Sequence, residues 1–157
     1  MVINMKKILA VFVFLVLLVG CSLANTPTSK VEELLTKYQT LDKDIKTGID
    51  EVIDEETLTS KQKDRYRSLI EKQYKALTYQ VKNERIDGDR ATITTEIEVL
   101  DYKKAVNDAV SKYQNRTDYT VEEYNNSKLD ALEKTKDKVK YTIDFEVIKD
   151  KNGNWKL

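Results

Sequence analysis

Twelve consecutive apolar residues, Ile8 to Val19, open a chain that is otherwise strongly polar. Lys6 and Lys7 precede them, and Gly20 and the single cysteine, Cys21, follow. As a helix the run is about 18 Å long, at about 1.5 Å per residue. The hydrocarbon core of a bilayer is about 30 Å thick. The run is too short to span it comfortably and has the length of a signal h-region. The chain therefore divides into a leader, residues 1–20, and a polar remainder that must supply the whole fold.

The remainder limits the chemistry as sharply. The 157 residues include no histidine. That excludes His-ligated metals, Ser–His and Cys–His nucleophile pairs and an imidazole pH switch. One cysteine excludes an internal disulfide and a thiolate metal cluster. Lys+Arg and Asp+Glu both number 27, and without Lys6 and Lys7 the balance is 25 to 27. The lysines are interleaved with acids, so no nucleic-acid groove is expected.

The sequence Leu18-Val19-Gly20-Cys21, with the basic start and the apolar run at that spacing, resembles the lipobox of a bacterial lipoprotein signal peptide. The resemblance implies cleavage between Gly20 and Cys21 and a diacylglyceryl group on the Cys21 thiol. It also implies a place at the extracytoplasmic face of a cell membrane, in the cell envelope. Two acyl chains, unlike one, hold a protein stably on a bilayer. Residues 21–29 then form the lipidated cysteine and a short tether containing the only proline, Pro27. So short a tether keeps the folded domain close to the membrane. No cofactor other than the lipid is expected.

Residues 30–157 fit one domain, large enough for a core without staples. Val31, Leu34, Leu35, Tyr38, Leu41, Ile45, Ile49, Val52 and Ile53 recur at helical spacing, which predicts one long helix over 30–53. Ser29 and Glu32 have the capping-box form at its start. A second helix is expected from Ser60 to Leu77. The period then becomes two. Tyr79 and Val81, then Ala91, Ile93, Ile97 and Val99, alternate with polar residues around Asp87-Gly88-Asp89, predicting a hairpin. Tyr141, Ile143, Phe145 and Val147 alternate likewise, ahead of Asn152-Gly153-Asn154 and Trp155. Residues 103–138 between them are too long for a structureless loop. Ala105 to Tyr113 suggests one helix. Thr120 and Glu123 suggest a fresh cap for another, carrying Tyr124, Leu129 and Leu132.

The expected fold class is α+β: long N-terminal helices packed on a small antiparallel sheet of two hairpins, with a helical insertion between the hairpins. The segments from Arg85 to Ile93 and from Phe145 to Leu157 resemble those of the cystatin-like, nuclear transport factor 2-like superfamily, in the small form found in bacterial lipoproteins of unknown function. The resemblance covers residues 30–157. The sheet's one apolar face needs cover, and the long first helix is its natural lid; the resemblance implies a cone-shaped cavity between them, which in some enzymes works with an acid and a tyrosine.

Candidate sites are few. Asp42, Asp44 and Asp50 lack the glycine and glutamate that a calcium loop requires, since Thr47 and Ile53 stand there. Asp54, Glu55 and Glu56 fit an acidic helix terminus, and Glu122 and Glu123 fit a helix N-terminus, where negative charge is favourable. Asn115-Arg116-Thr117 and Asn125-Asn126-Ser127 match the glycosylation pattern and are expected to mark surface positions. Of nine tyrosines, Tyr38, Tyr66, Tyr74, Tyr79 and Tyr141 fall on inward stripes and edge a core or a partly polar pocket. Asp144 and Glu146 face the other way, so no catalytic set assembles. The expected function is a non-enzymatic, membrane-anchored binding or interaction module. Its partner is an extracytoplasmic protein or small ligand. The alternatives are a pocket enzyme of the ketosteroid-isomerase-like type and an envelope-assembly accessory protein.

Overall fold

The computed structural model describes residues 25–157; the leader, Gly20 and Cys21 lie outside the described residues. In chain order the elements are α1 (Pro27–Thr40), α2 (Lys43–Glu55), α3 (Ser60–Lys75), β1 (Thr78–Asp87), β2 (Arg90–Leu100), α4 (Tyr102–Ser111), α5 (Val121–Lys134), β3 (Lys138–Lys149) and β4 (Trp155–Lys156). The architecture is mixed: five helices beside one four-stranded antiparallel sheet in sequential order.

α1 starts earlier than the pattern suggested. Thr26 is its cap, accepting from the Ser29 amide at 3.1 Å, while Ser29 Oγ accepts from the Thr26 amide at 3.2 Å. Pro27 takes the first helical position, where a missing N–H costs nothing. The expected Ser29–Glu32 box is therefore replaced by Thr26–Ser29, and the tether loses Pro27 and the residues after it to the helix.

The expected helix over 30–53 is two helices. Leu41 adopts φ 52°, in the left-handed region. The Asp42 amide donates to the Lys37 carbonyl at 2.9 Å, closing a Schellman-type C-cap. Asp42 then caps α2 by accepting from the Asp44 amide at 3.0 Å. Left-handed backbone costs a non-glycine residue about 1–2 kcal/mol. Leu41 tolerates it because its side chain is only 4% exposed, packed with Ile49 and Ile53 against Tyr66, Ile70 and Tyr74 of α3. The apolar period runs through the break because Leu41 and α2 bury into this cluster, while Tyr38 of α1 meets its Tyr74 edge to face at 5.0 Å.

The sheet has one inner face. Ala91, Ile93, Thr95 and Ile97 of β2 stand opposite Val147, Phe145, Ile143 and Tyr141 of β3. α1 runs along that face, its Thr28 amide bonded to Glu84 and its Gln39 side chain donating to the Leu77 carbonyl at 2.8 Å, and Val31 and Leu35 pack with Leu77, Ile93, Val147 and Trp155. The face is less covered at Tyr141 and Ile143 of β3. Tyr141 and Ile143, expected to be inward, are on the inner face but 44% and 39% exposed.

α3 joins the sheet to the remaining helices. The Gln73 amide bonds both the carbonyl and the N–H of Leu100, each at 3.1 Å, pinning the end of β2. Leu69 packs with Leu129 and Leu132 of α5, and Tyr102 donates to the Leu69 carbonyl at 3.1 Å. Two helices fill the insertion, but the first runs Tyr102–Ser111 rather than to Tyr113, which lies in the turn beyond it. Thr120 and Glu123 form the expected capping box, bonded at 3.1 and 2.8 Å.

The two borders of the sheet differ. In β1 the register shifts between Val81 and Asn83, so Lys82 is an extra residue and Glu84 comes opposite Ile93. Glu84 accepts there from the Thr28 amide at 3.3 Å, beside the positive end of α1. At the opposite border β4 pairs only with Ile148 and Lys149. Among the described residues, the outer edge of β3 before Ile148 has no strand beside it. No helix among the described residues is long and apolar enough to cross a membrane.

Candidate functional site

Asn25, the first described residue, is held by its own amide. Its Oδ1 accepts from the Trp155 N–H at 2.9 Å, and its Nδ2 donates to the Gly153 carbonyl at 3.2 Å. A primary amide offers the same acceptor and donor as a backbone unit, so Asn25 serves β4 as a strand neighbour. The adjoining turn is built on Asp150. Its carboxylate accepts from the Asn152 and Asn154 amides at 2.9 and 3.0 Å and pairs with Lys156 at 3.0 Å. The Asn154 amide, then Lys156, hold its carboxyl down to about 2. Gly153, at φ 78°, supplies the left-handed residue the turn needs.

Between this turn and α1 opens a cleft of about 650 Å³. One wall is the face of α1 bearing Lys30, Glu33 and Lys37; the other is Trp155, Lys156 and Leu157. Lys30 and Lys37 both reach Glu33, at 3.3 and 3.9 Å. These are exposed ion pairs that cost little to exchange for a ligand's charges. The chemistry suits a polar or zwitterionic group, with both ammonium and carboxylate partners on offer.

A smaller recess of about 190 Å³ lies where α3, α4 and α5 meet, lined by Glu56, Tyr66, Val106, Asn125 and Leu132 among others. Burial, and secondarily Glu56, raise the Tyr66 phenol above its ordinary value, so it stays a neutral donor. The tyrosine pocket implied by the superfamily resemblance would lie elsewhere, between helix and sheet, where Val31, Leu35, Ile93 and Val147 form a buried apolar cluster. Tyr38 and Tyr74 meet edge to face at 5.0 Å, while Tyr79 packs on the sheet and Tyr141 stands apart and exposed. The buried polar side chains among the described residues are Gln62, Thr95 and Asn125.

The acidic candidates are accounted for locally. Asp42 caps α2, Asp44 lies in its first turn, and Asp50 bonds Arg67 at 2.8 Å. Asp54 pairs with Lys63 at 3.8 Å. Glu122 and Glu123 occupy the first turn of α5. Among the described residues no group of acids and cysteines is placed to hold a metal. Asn115 is exposed, but Asn125 is not: it is 7% exposed and donates to the Thr57 carbonyl at 3.4 Å. α5 turns that residue toward the α2–α3 connection.

Two features escape the sequence patterns. Gln62, 3% exposed, donates to the Glu122 carbonyl at 3.2 Å and to Asn126 at 3.0 Å. Next to it Arg65 forks onto Glu133 and Asp130 at 2.9 and 2.6 Å, and these bonds hold its guanidinium well above the ordinary range. The other is a ring cluster at the α4–α5 connection. Tyr113 lies 4.8 Å from Tyr119 and 5.4 Å from Tyr124, and Lys128 sits over Tyr124 at 4.7 Å.

Comparison with known proteins gives no relative: no family model, no curated protein and no solved structure matches the chain.

Proposed function

We propose that this protein is an extracytoplasmic lipoprotein, anchored through Cys21, whose domain is a non-enzymatic binding or interaction module of cystatin-like type. The observation that carries the reading is the Leu18-Val19-Gly20-Cys21 sequence behind its basic start and apolar run, and the Asn25–Trp155 contact at 2.9 Å adds where the anchor would hold the domain. In the fold, that contact bears on geometry alone. It ties the fold to a residue four positions past Cys21, and four residues extend about 13 Å at most. A diacylglyceryl group on Cys21 would hold the Asn25 end of the domain, with its cleft, against the bilayer surface. The strand pairs around Gly88 and Gly153, with α1 across their inner face, support the cystatin-like part of the reading. The pocket-enzyme alternative would rest on the Tyr66 recess, whose 190 Å³ falls below the about 300 Å³ at which ligand pockets begin.

The test is lipid labelling of the native protein beside a Cys21→Ala variant, with mass spectrometry of the amino terminus. The expected result is a labelled, membrane-bound protein beginning at a modified Cys21, and an unlabelled variant with its leader uncut. A bare thiol, or an intact leader on the native protein, overturns the reading. For the cleft, the expected result is a thermal shift with one class of zwitterionic or anionic small molecule, lost in Lys37→Ala.

A further inference from the structure

We infer that the open edge of β3 is a docking strand for a second copy of this chain, pairing antiparallel with itself over residues 138–146 about an axis at Thr142. This rests on the sheet alone and does not depend on the lipid anchor.

An edge strand presents unpaired N–H and C=O groups, and proteins blunt such edges with bulges, inward charges, cover or lysines on the edge, of which β3 has only the lysines, Lys138 and Lys140. β1 has the first two devices, in Lys82 and Glu84. β3 has neither a bulge in its pairing with β2 nor, before Ile148, a covering strand. Its inner face there carries Tyr141 and Ile143, 44% and 39% exposed.

The outer face says which strand fits. Lys138 and Lys140 stand at its start, Asp144 and Glu146 near its end. Run antiparallel against itself about Thr142, the strand sets Lys140 opposite Asp144 and Lys138 opposite Glu146, each twice by symmetry. On the inner face the same register sets Tyr141 against Ile143 and Val139 against Phe145, covering the exposed pair. The new contacts also continue rows already present. Lys82, Glu96 and Lys140 alternate across β1, β2 and β3 at 3.4 and 3.0 Å, and Glu98 meets Lys138 at 2.8 Å. An acid from the second copy continues the alternation of sign in each row. Opposite charges facing across strands stabilise pairing and like charges oppose it, so the lysines repel a strand of arbitrary sequence and accept this one.

β4 selects between registers. Centring one residue later, on Ile143, would place Lys138 of the second copy opposite Ile148, where Lys156 already pairs. Centring on Thr142 ends the contact at Glu146 and leaves β4 in place.

The full chain is tested by sedimentation in detergent, with Lys140→Glu, Asp144→Lys and the double exchange, each checked for its fold by circular dichroism. Each single exchange is expected to weaken self-association about tenfold, and the double exchange to restore it. Thr142→Cys is expected to join two copies with a short thiol crosslinker. Thr78→Cys on the β1 border should stay unlinked, and the unsubstituted chain reports any linkage through Cys21. A monomer at about 100 μM, where a dimer with a micromolar Kd would be almost fully formed, overturns the inference. So do a dimer indifferent to both single exchanges, a double exchange that fails to restore pairing, and equal linkage at Thr142→Cys and Thr78→Cys.

Discussion

The Asn25 side chain and the Trp155 backbone amide meet at 2.9 Å, so the start of the folded chain is stitched to its last strand. β4 is two residues long and too short to persist on its own pairing. Removing the amide should therefore loosen the whole Asp150–Lys156 turn. Asn25→Ala is expected to lower stability by about 1–2 kcal/mol in denaturant unfolding. An unchanged midpoint would show that the bonds add nothing.

Gln62 carries the junction of α3 and α5. It accepts from the Thr59 amide at 3.1 Å and donates twice to α5, all while 3% exposed. Gln62→Leu strands those partners and should cost about 2–3 kcal/mol. The loss should be regional: amides of α5 exchange faster than those of β2 and β3, as expected when local opening precedes global unfolding. Uniform acceleration would contradict it.

Thr95 Oγ1 is buried with no hydrogen-bond partner among the described residues, between Val81 at the bulge and Ile143. A polar atom left in this state is a liability that an isosteric apolar group removes. Thr95→Val should raise stability by about 1 kcal/mol, measured as a higher denaturant midpoint at constant slope. A lower midpoint would mean that the hydroxyl is satisfied in solution.

Asp150 gives the acid response a direction. Its folded value, about 2, lies below the ordinary 3.8 because the Asn154 amide and Lys156 favour the carboxylate. A depressed value contributes stability that is complete above the unfolded value and is lost as pH falls through the folded one. The advantage of the native protein over Asp150→Asn should be constant above about pH 5 and shrink between about pH 4 and pH 2. A difference that widened on acidification would reverse the assignment.

What was legible in the sequence was what local periodicity governs. The alternation in residues 77–99 and 141–147, and the Thr120–Glu123 cap, each fix structure within a few residues. The break at Leu41 was not legible, because the hydrophobic spacing continues through it and only the C-cap hydrogen bonds mark it. Tyr141 and Ile143 have the pattern of a covered face, but alternation says which side a residue takes, not whether a helix lies above it. Asn25 and Gln62 act through partners 130 and 60 or more residues away, and no spacing rule reaches that far. The lysine-to-acid order along β3 was visible in the sequence all along. It acquired meaning only when the neighbouring strand turned out to be two residues long.

The extra residue at Lys82 makes the two margins of the sheet unequal, and that bounds how far any assembly through it can grow. A sheet with two receptive margins is a monomer for a fibril, each subunit offering the next a fresh template. Here one margin is spoiled by a kink and an inward carboxylate. Addition at the other is self-limiting: it ends at a closed pair, whose outermost strands are both the spoiled kind.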